Sequence, residues 1–337
     1  MKATLSAACF SLLLGSLCAA AEPTPAAVTS EALRAGLVKS LAFLDKAGDT
    51  WIEEKSCNGC HHLPELLWSH REAKRRGFAI DQAKLDEWIE WANPKTKDIG
   101  AGLEQAGLML MALPEKPPPS AVEVILKNQK ADGSWNPSGQ MSNMQRRDPA
   151  EVKGNSARLF LLALAASDAK PEVVEEAKKK AKGFLEDKLP PKALETLIYR
   201  CLYERKFGTP EAAEALRAEV IKQQHADGGW GYILAEPASN ALGTGQALYL
   251  LGQTGGDDAA EVVRRGQQWL LAHQGQDGGW LADIRQFSKL DRSKPDKAKS
   301  LKDATMIYTD WGTSWATLGL LQGLPVVSEK QKVASKE

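Results

Sequence analysis

One phrase recurs along this chain and limits what it can fold into. Gln129–Trp135 reads QKADGSW, Gln224–Trp230 reads QHADGGW and Gln274–Trp280 reads QGQDGGW. A fourth copy, DKAGDTW at Asp45–Trp51, keeps the Trp and exchanges the order of Asp and Gly. A phrase repeated this way means one structural unit used several times, each unit burying its apolar faces against its neighbours.

The residues between the copies are patterned for helix. Apolar positions recur at spacings of three and four, and strand-like alternation is nearly absent. The pattern predicts six helix pairs. First helices fall near 30–46, 81–92, 119–130, 171–187, 210–224 and 258–273. Second helices fall near 62–76, 100–113, 154–167, 192–206, 241–254 and 312–323. First helices carry a charged face and read as outer helices with one wet side. Second helices are rich in Gly, Ala, Leu and Met, as in 101–113 and 157–165, and read as an inner ring with close helix approach. The expected fold class is therefore all-α, an (α/α)6 toroid of six hairpins spanning residues 30–325.

At each outer-to-inner turn the phrase has a structural use. Gly133, Gly228 and Gly278 suit a positive φ. Asp132, Asp227 and Asp277 can accept from nearby turn amides. Gln129, Gln224 and Gln274 can satisfy stray backbone groups at the helix end. The Trp side chains fill the gaps between hairpins.

The longest match, Arg265–Trp280, resembles the QW motif of the squalene–hopene cyclase and prenyltransferase repeat family. Residues 241–253 and 313–318 are similar to inner helices of that family. The resemblance implies an α/α toroid with a central cavity, and an apolar isoprenoid-like ligand. It does not carry the activity with it. The Asp-rich DxDD acid string of those cyclases does not occur, and its nearest fragment, Asp257-Asp258, opens an outer helix.

A second signal lies just after Trp51. Cys57-Asn58-Gly59-Cys60-His61 has the Cys-x-x-Cys-His spacing of covalent c-type haem attachment, and resembles c-type cytochromes over these five residues. Two thiols three apart can bond the porphyrin vinyl groups, and His61 can ligate the iron as proximal ligand. A local Cys57–Cys60 disulfide, a zinc site with His61 or His62, and a redox dithiol are the alternatives. Met141 and Met144, on a polar loop, are the candidate distal ligands, with ordinary loop Met as the alternative. Met109 and Met111 fit the inner-helix stripe. Arg146 and Arg147 are either propionate partners or a solvated basic loop. His70 reads as a capped surface or core residue, and Cys201 as a buried small hydrophobe.

For acid–base chemistry the candidates are Asp310, Tyr308, Asp283 and Glu236. Asp310 is the most suggestive, with an N-cap of the last inner helix as its plain alternative.

Residues 1–21 have a signal-peptide pattern, with Lys2, an apolar stretch from Leu5 to Leu17, and small residues before Glu22. Residues 22–29 read as a flexible leader and 326–337 as a disordered polar tail. A periplasmic or otherwise exported location follows as an expectation. Forty-three basic and 43 acidic side chains balance, so no nucleic-acid partner is implied. Beyond residue 21 no segment has the length and apolarity of a transmembrane helix.

Three functional readings follow. The first is an exported toroid with one covalent haem c at the ring mouth, serving a redox partner protein. The second is a cyclase-like enzyme acting on an isoprenoid in the cavity. The third is a non-catalytic binding module with a structural Cys57–Cys60 disulfide.

Overall fold

The computed structural model describes residues 28–54, 62–92, 102–115, 120–136, 146–186, 189–288 and 298–327. The expected signal at 1–21 and residues 328–337 of the expected tail lie outside these. Twelve α-helices run through the described residues. The outer ones are α1 (Ser30–Glu54), α3 (Gln82–Ala92), α5 (Ala121–Lys127), α7 (Pro171–Leu185), α9 (Pro210–Lys222) and α11 (Ala260–His273). The inner ones are α2 (Leu63–Arg75), α4 (Gly102–Ala112), α6 (Pro149–Ala166), α8 (Leu194–Phe207), α10 (Ala241–Thr254) and α12 (Ala298–Leu321). Extended pairing among the described residues is confined to an isolated bridge between Ala193 and Ile233.

Each inner helix packs on the next, and α12 packs on α2, so the inner ring closes. The chain is an (α/α)6 toroid, as its periodicity predicts. Sequence character sorts the two layers. The α7 helix buries only Val174, Ala177 and Ala181, whereas α10 buries all of Ala241–Leu251. A helix apolar on every side has to be surrounded, and the inner position surrounds it. Among the described residues no helix is long and apolar enough to cross a membrane.

The recurring phrase is a latch between hairpins. In all three full copies the Gly has positive φ, 83° at Gly133, 94° at Gly228 and 92° at Gly278. Each Asp accepts from the amide two residues on. Each Trp buries its indole and donates Nε1 to the carbonyl ten residues back, at 2.8–2.9 Å. Each Gln amide bridges two backbones. Gln129 donates to Gly133 O and to Ala177 O of α7. Gln224 donates to Gly228 O and to Val262 O of α11. Gln274 donates to Gly278 O and to Gly36 O of α1. The third latch thus ties the last outer helix to the first and locks the ring.

A Cβ on Gly278 would collide with the Lys39 carbonyl of α1, and the positive φ adds strain. Gly278→Val is expected to cost about 2–5 kcal/mol, from strain plus overpacking, read from chemical denaturation. Wild-type stability in this variant would show that the turn is not a latch.

Two boundaries differ most from the sequence expectation. The first outer helix continues to Glu54 through the fourth copy of the phrase, so Trp51 lies within a helix rather than after a turn. There Gly precedes Asp, so no glycine stands at the turn position. Gly48 instead makes room for the Trp88 ring. The last inner helix begins at Ala298 rather than near 312. Thr313 accepts from Trp280 N as Thr244 accepts from Trp230 N, which places Thr313 level with the first turn of α10. The stretch from Ala298 to Trp311 therefore projects beyond the ring at the end where the latches lie.

Candidate functional site

Four inner helices carry a Glu at their second or third residue: Glu65 on α2, Glu104 on α4, Glu151 on α6 and Glu195 on α8. An acid there complements the helix dipole. Closing the ring brings these first turns together at one mouth and removes them from water. All four are buried.

Arg147, just before α6, joins two of them. Its Nη2 donates to Glu195 Oε1 at 2.7 Å, its Nη1 lies 3.6 Å from Glu104 Oε1, and its Nε donates to the Tyr232 hydroxyl at 3.1 Å. The Tyr232 hydroxyl faces Glu195 Oε2 at 3.4 Å. Burial alone would weaken the guanidinium as a cation, and Glu195, Tyr232 and Glu104 reverse this and hold it firmly charged. Burial pushes the hydroxyls of Tyr199 and Tyr232 up, with Glu195 adding to the effect. Glu151 is separately satisfied, accepting from Lys192 N and Thr196 Oγ1.

Glu65 stands apart. Its Oε1 accepts from Trp311 Nε1 at 2.5 Å. Its Oε2 is buried and has no hydrogen-bond partner among the described residues. Burial raises its pKa to about 8, and Glu104 pushes the same way against the hydrogen bond from Trp311 and the charge of Arg147. With a pKa of about 8 the carboxyl favours its protonated form at neutral pH, and Oε2, which has no partner among the described residues, is the oxygen left to carry the proton.

One turn deeper, Trp68, Tyr249 and Trp315 meet edge to face with centroids 5.3–5.7 Å apart. Trp68 follows Glu65 by three residues on α2, and Trp315 follows Trp311 by four on α12, so this aromatic trio underlies the acid. Gln246, three residues before Tyr249, also has a buried Oε1 without a partner among the described residues. Above, Phe287 stacks on Tyr308 at 5.0 Å and packs on Tyr232 at 5.6 Å.

Asp310 lies inside α12 and is not an N-cap, which corrects the plain reading of it. Its Oδ2 is 3.2 Å from Nδ1 of the buried His62. Burial raises the Asp310 carboxyl well above the ordinary range. His62 stacks on Trp51 at 4.7 Å. Tyr308 is buried nearby, whereas Glu236 pairs with Arg146 and Asp283 pairs with Arg285 at the surface. Arg147 is no solvated loop residue, because the carboxylates enclose it. His70 is core, with Nε2 3.3 Å from Asp45. Cys201 is buried, its thiol pushed up to about 11 by burial. Met109 is fully buried in the inner-ring stripe.

Cys57, Cys60 and His61, and likewise Met141 and Met144, lie outside the described residues. Among the described residues no cluster of three or more His, Cys, Asp or Glu side chains could hold a metal ion.

Sequence reasoning missed Glu65, Glu104, Glu195 and the role of Arg147. The available signal was the recurrence of Glu at the second or third residue of four inner helices.

No known protein-family profile matches the chain. A stretch of 110 residues is 32% identical to a probable squalene–hopene cyclase of Sinorhizobium fredii (strain NBRC 101917 / NGR234). The match covers 31% of this chain and 14% of that cyclase. Among solved structures, a possible member of the GH105 family from Salmonella enterica serovar Paratyphi A superposes with a TM-score of 0.58 at 15% identity, over 90% of this chain and 96% of that one. An ent-copalyl diphosphate synthase from Streptomyces platensis superposes with a TM-score of 0.50 at 18% identity, over 76% of this chain and 50% of that one. A wild-type glycosidase does so with a TM-score of 0.51 at 12% identity, over 88% of this chain and all of its own. The chain shares its α/α toroid with enzymes of different chemistry, and has weak sequence similarity to a squalene–hopene cyclase.

Proposed function

We propose that this protein is an acid catalyst of the cyclase kind, with Glu65 as the proton donor to an apolar, unsaturated ligand inside the ring. The observation that carries the reading is the buried Glu65 carboxyl, its Oε2 without a hydrogen-bond partner among the described residues and its pKa raised by burial to about 8, set one turn above the Trp68–Tyr249–Trp315 trio. An acid kept neutral at pH 7 by burial can give up its proton without first acquiring one. The step balances within the ligand. The Glu65 proton goes to one carbon of a double bond, whose π electrons form the new C–H bond and leave a cation on the other carbon. A second double bond attacks that carbon and closes a ring. A C–H proton then returns to the Glu65 carboxylate, so the product is an isomer and no oxidant is needed. Aromatic faces stabilise the passing cation. The sequence similarity to a squalene–hopene cyclase supports this reading, and Glu65 would stand in for the missing DxDD acid.

The test is incubation of the full chain with detergent-dispersed squalene, followed by mass-resolved gas chromatography. Isomeric product is expected, and Glu65→Gln is expected to lower the rate by roughly 100-fold or more. No product, or an unchanged rate in Glu65→Gln, overturns the reading.

A second reading is favoured by the Cys57–His61 string. The donor set of two thiols and an imidazole fits covalent haem c, with His61 as proximal ligand and Met141 or Met144 as candidate distal ligand. In sequence the string falls between α1 and α2, after Trp51 and directly before the buried His62. Haem there would supply electron transfer to a redox partner in an exported protein. Expression in a haem-maturing host should yield a pyridine haemochrome spectrum, lost on joint replacement of Cys57 and Cys60 by Ala. A Cys57–Cys60 disulfide in the mature protein overturns this reading and leaves the clip in its place.

A further inference from the structure

We propose a second ligand site in the crevice between the first turn of α10 and the segment that follows the third latch, taking a neutral hydroxylated ring of single-sugar size. The crevice has a volume of about 230 Å³. This is below the 300–1,000 Å³ typical of drug-sized ligands, and it would hold roughly seven or eight waters at about 30 Å³ each. A ligand of one ring fits such a space.

The walls specify its chemistry. Trp269, Trp280 and Tyr308 line the crevice together with Phe287. The two indole N–H groups are already committed, Trp269 Nε1 to Asp227 and Trp280 Nε1 to Leu270 O. These residues therefore offer the crevice mainly carbon surface. Ser239 and His273 also line the crevice, but the Ser239 hydroxyl is committed to Asp227 and His225 and His273 Nδ1 to Trp269 O, so two neutral amides supply the open polar contacts. Gln286 lines the space, and its Oε1 is buried with no hydrogen-bond partner among the described residues. Asn240 uses its Oδ1 to cap Gly243 N, and its Nδ2 has no partner among the described residues. The acid at the rim, Asp283, is paired with Arg285. A ligand that satisfies this lining is uncharged, has an apolar face, and carries a donor and an acceptor on its edge. A sugar ring has all three. An orphaned buried amide oxygen costs free energy until something donates to it, and a turn of the Gln286 side chain that brings this oxygen into the crevice makes it the anchor. The site does not depend on Glu65, because Phe287 and Tyr308 form the crevice wall on the side of Trp311.

The test is saturation-transfer NMR and tryptophan-fluorescence titration of the full chain. The probes are the methyl β-glycosides of glucose, galactose and xylose, with geraniol as an apolar competitor. At least one glycoside is expected to bind saturably. Gln286→Leu and Asn240→Ser are each expected to weaken binding roughly tenfold or more, the equivalent of one lost hydrogen bond. Ser keeps the helix cap, and unchanged melting of both variants shows that the fold survives. Three results each overturn the proposal: no saturable binding up to tens of millimolar, binding equal in the variants and wild type, or geraniol bound in preference to every sugar.

Discussion

Glu65→Gln is expected to flatten the dependence of folding stability on pH and to stabilise the protein at neutral and alkaline pH. In the folded chain Glu65 has its pKa raised from 4.5 to about 8, chiefly by burial. Below pH 4.5 both the folded and the unfolded chain hold the proton, and the group contributes no pH dependence. Between 4.5 and 8 the unfolded chain has lost it while the fold retains it, so stability falls as pH rises. The interval is 3.5 units, and at 1.36 kcal/mol per unit the wild type loses up to about 5 kcal/mol across it. Glutamine keeps the acceptor for Trp311 Nε1 and cannot ionise. The gap between variant and wild type should therefore open from near zero at pH 4 to its full size at pH 8. Asp310, also raised by burial, adds a slope of the same sign that survives in the variant. Denaturant unfolding at a series of pH values measures the gap. Parallel curves for the two proteins would mean that Glu65 is ionised in the fold, and would remove the proton donor from the proposed chemistry. Stability and rate are thus expected to move in opposite directions in one variant, as befits an acid held where the fold alone would not place it.

The second large effect is at Arg147. Arg147→Met removes a side chain that meets Glu195, Glu104 and Tyr232 together, leaving two carboxylates buried without it. Breaking a buried pair in this way costs about 3–5 kcal/mol. Adding Glu195→Gln to Arg147→Met should recover part of the loss, because the uncompensated charge is then gone. The double-mutant cycle isolates that coupling. Arg147 also lowers the Glu65 pKa, so its removal should push the Glu65 titration higher still. A loss below about 1 kcal/mol, or no recovery in the double variant, would show that water reaches these carboxylates.

Most of the architecture is legible in the chain. All twelve helices are present in the periodicity, and outer and inner layers differ by charge and by small-residue content. The phrase QxxDGxW encodes its own geometry, because only Gly accommodates both the positive φ and the close approach of the next outer helix at Gly278. The two boundaries that differ most depend on distant partners. The chain continues as helix through Gly48 because Trp88 packs there, and α12 begins early because its added turns lie against the 281–288 segment, where Thr309 accepts from Ala282 N.

The candidate acid site was not legible, for a definite reason. Glu65, Glu104 and Glu195 each look like an ordinary acid at a helix start, and Arg147 looks like part of a basic loop. Local sequence determined the helices that carry them. Closure of the ring decided that they meet, that Arg147 is shared between two carboxylates, and that among the described residues no cation pairs with Glu65. Exclusion of water, which exists only in the closed toroid, then turns an exposed carboxylate's pKa near 4.5 into one near 8.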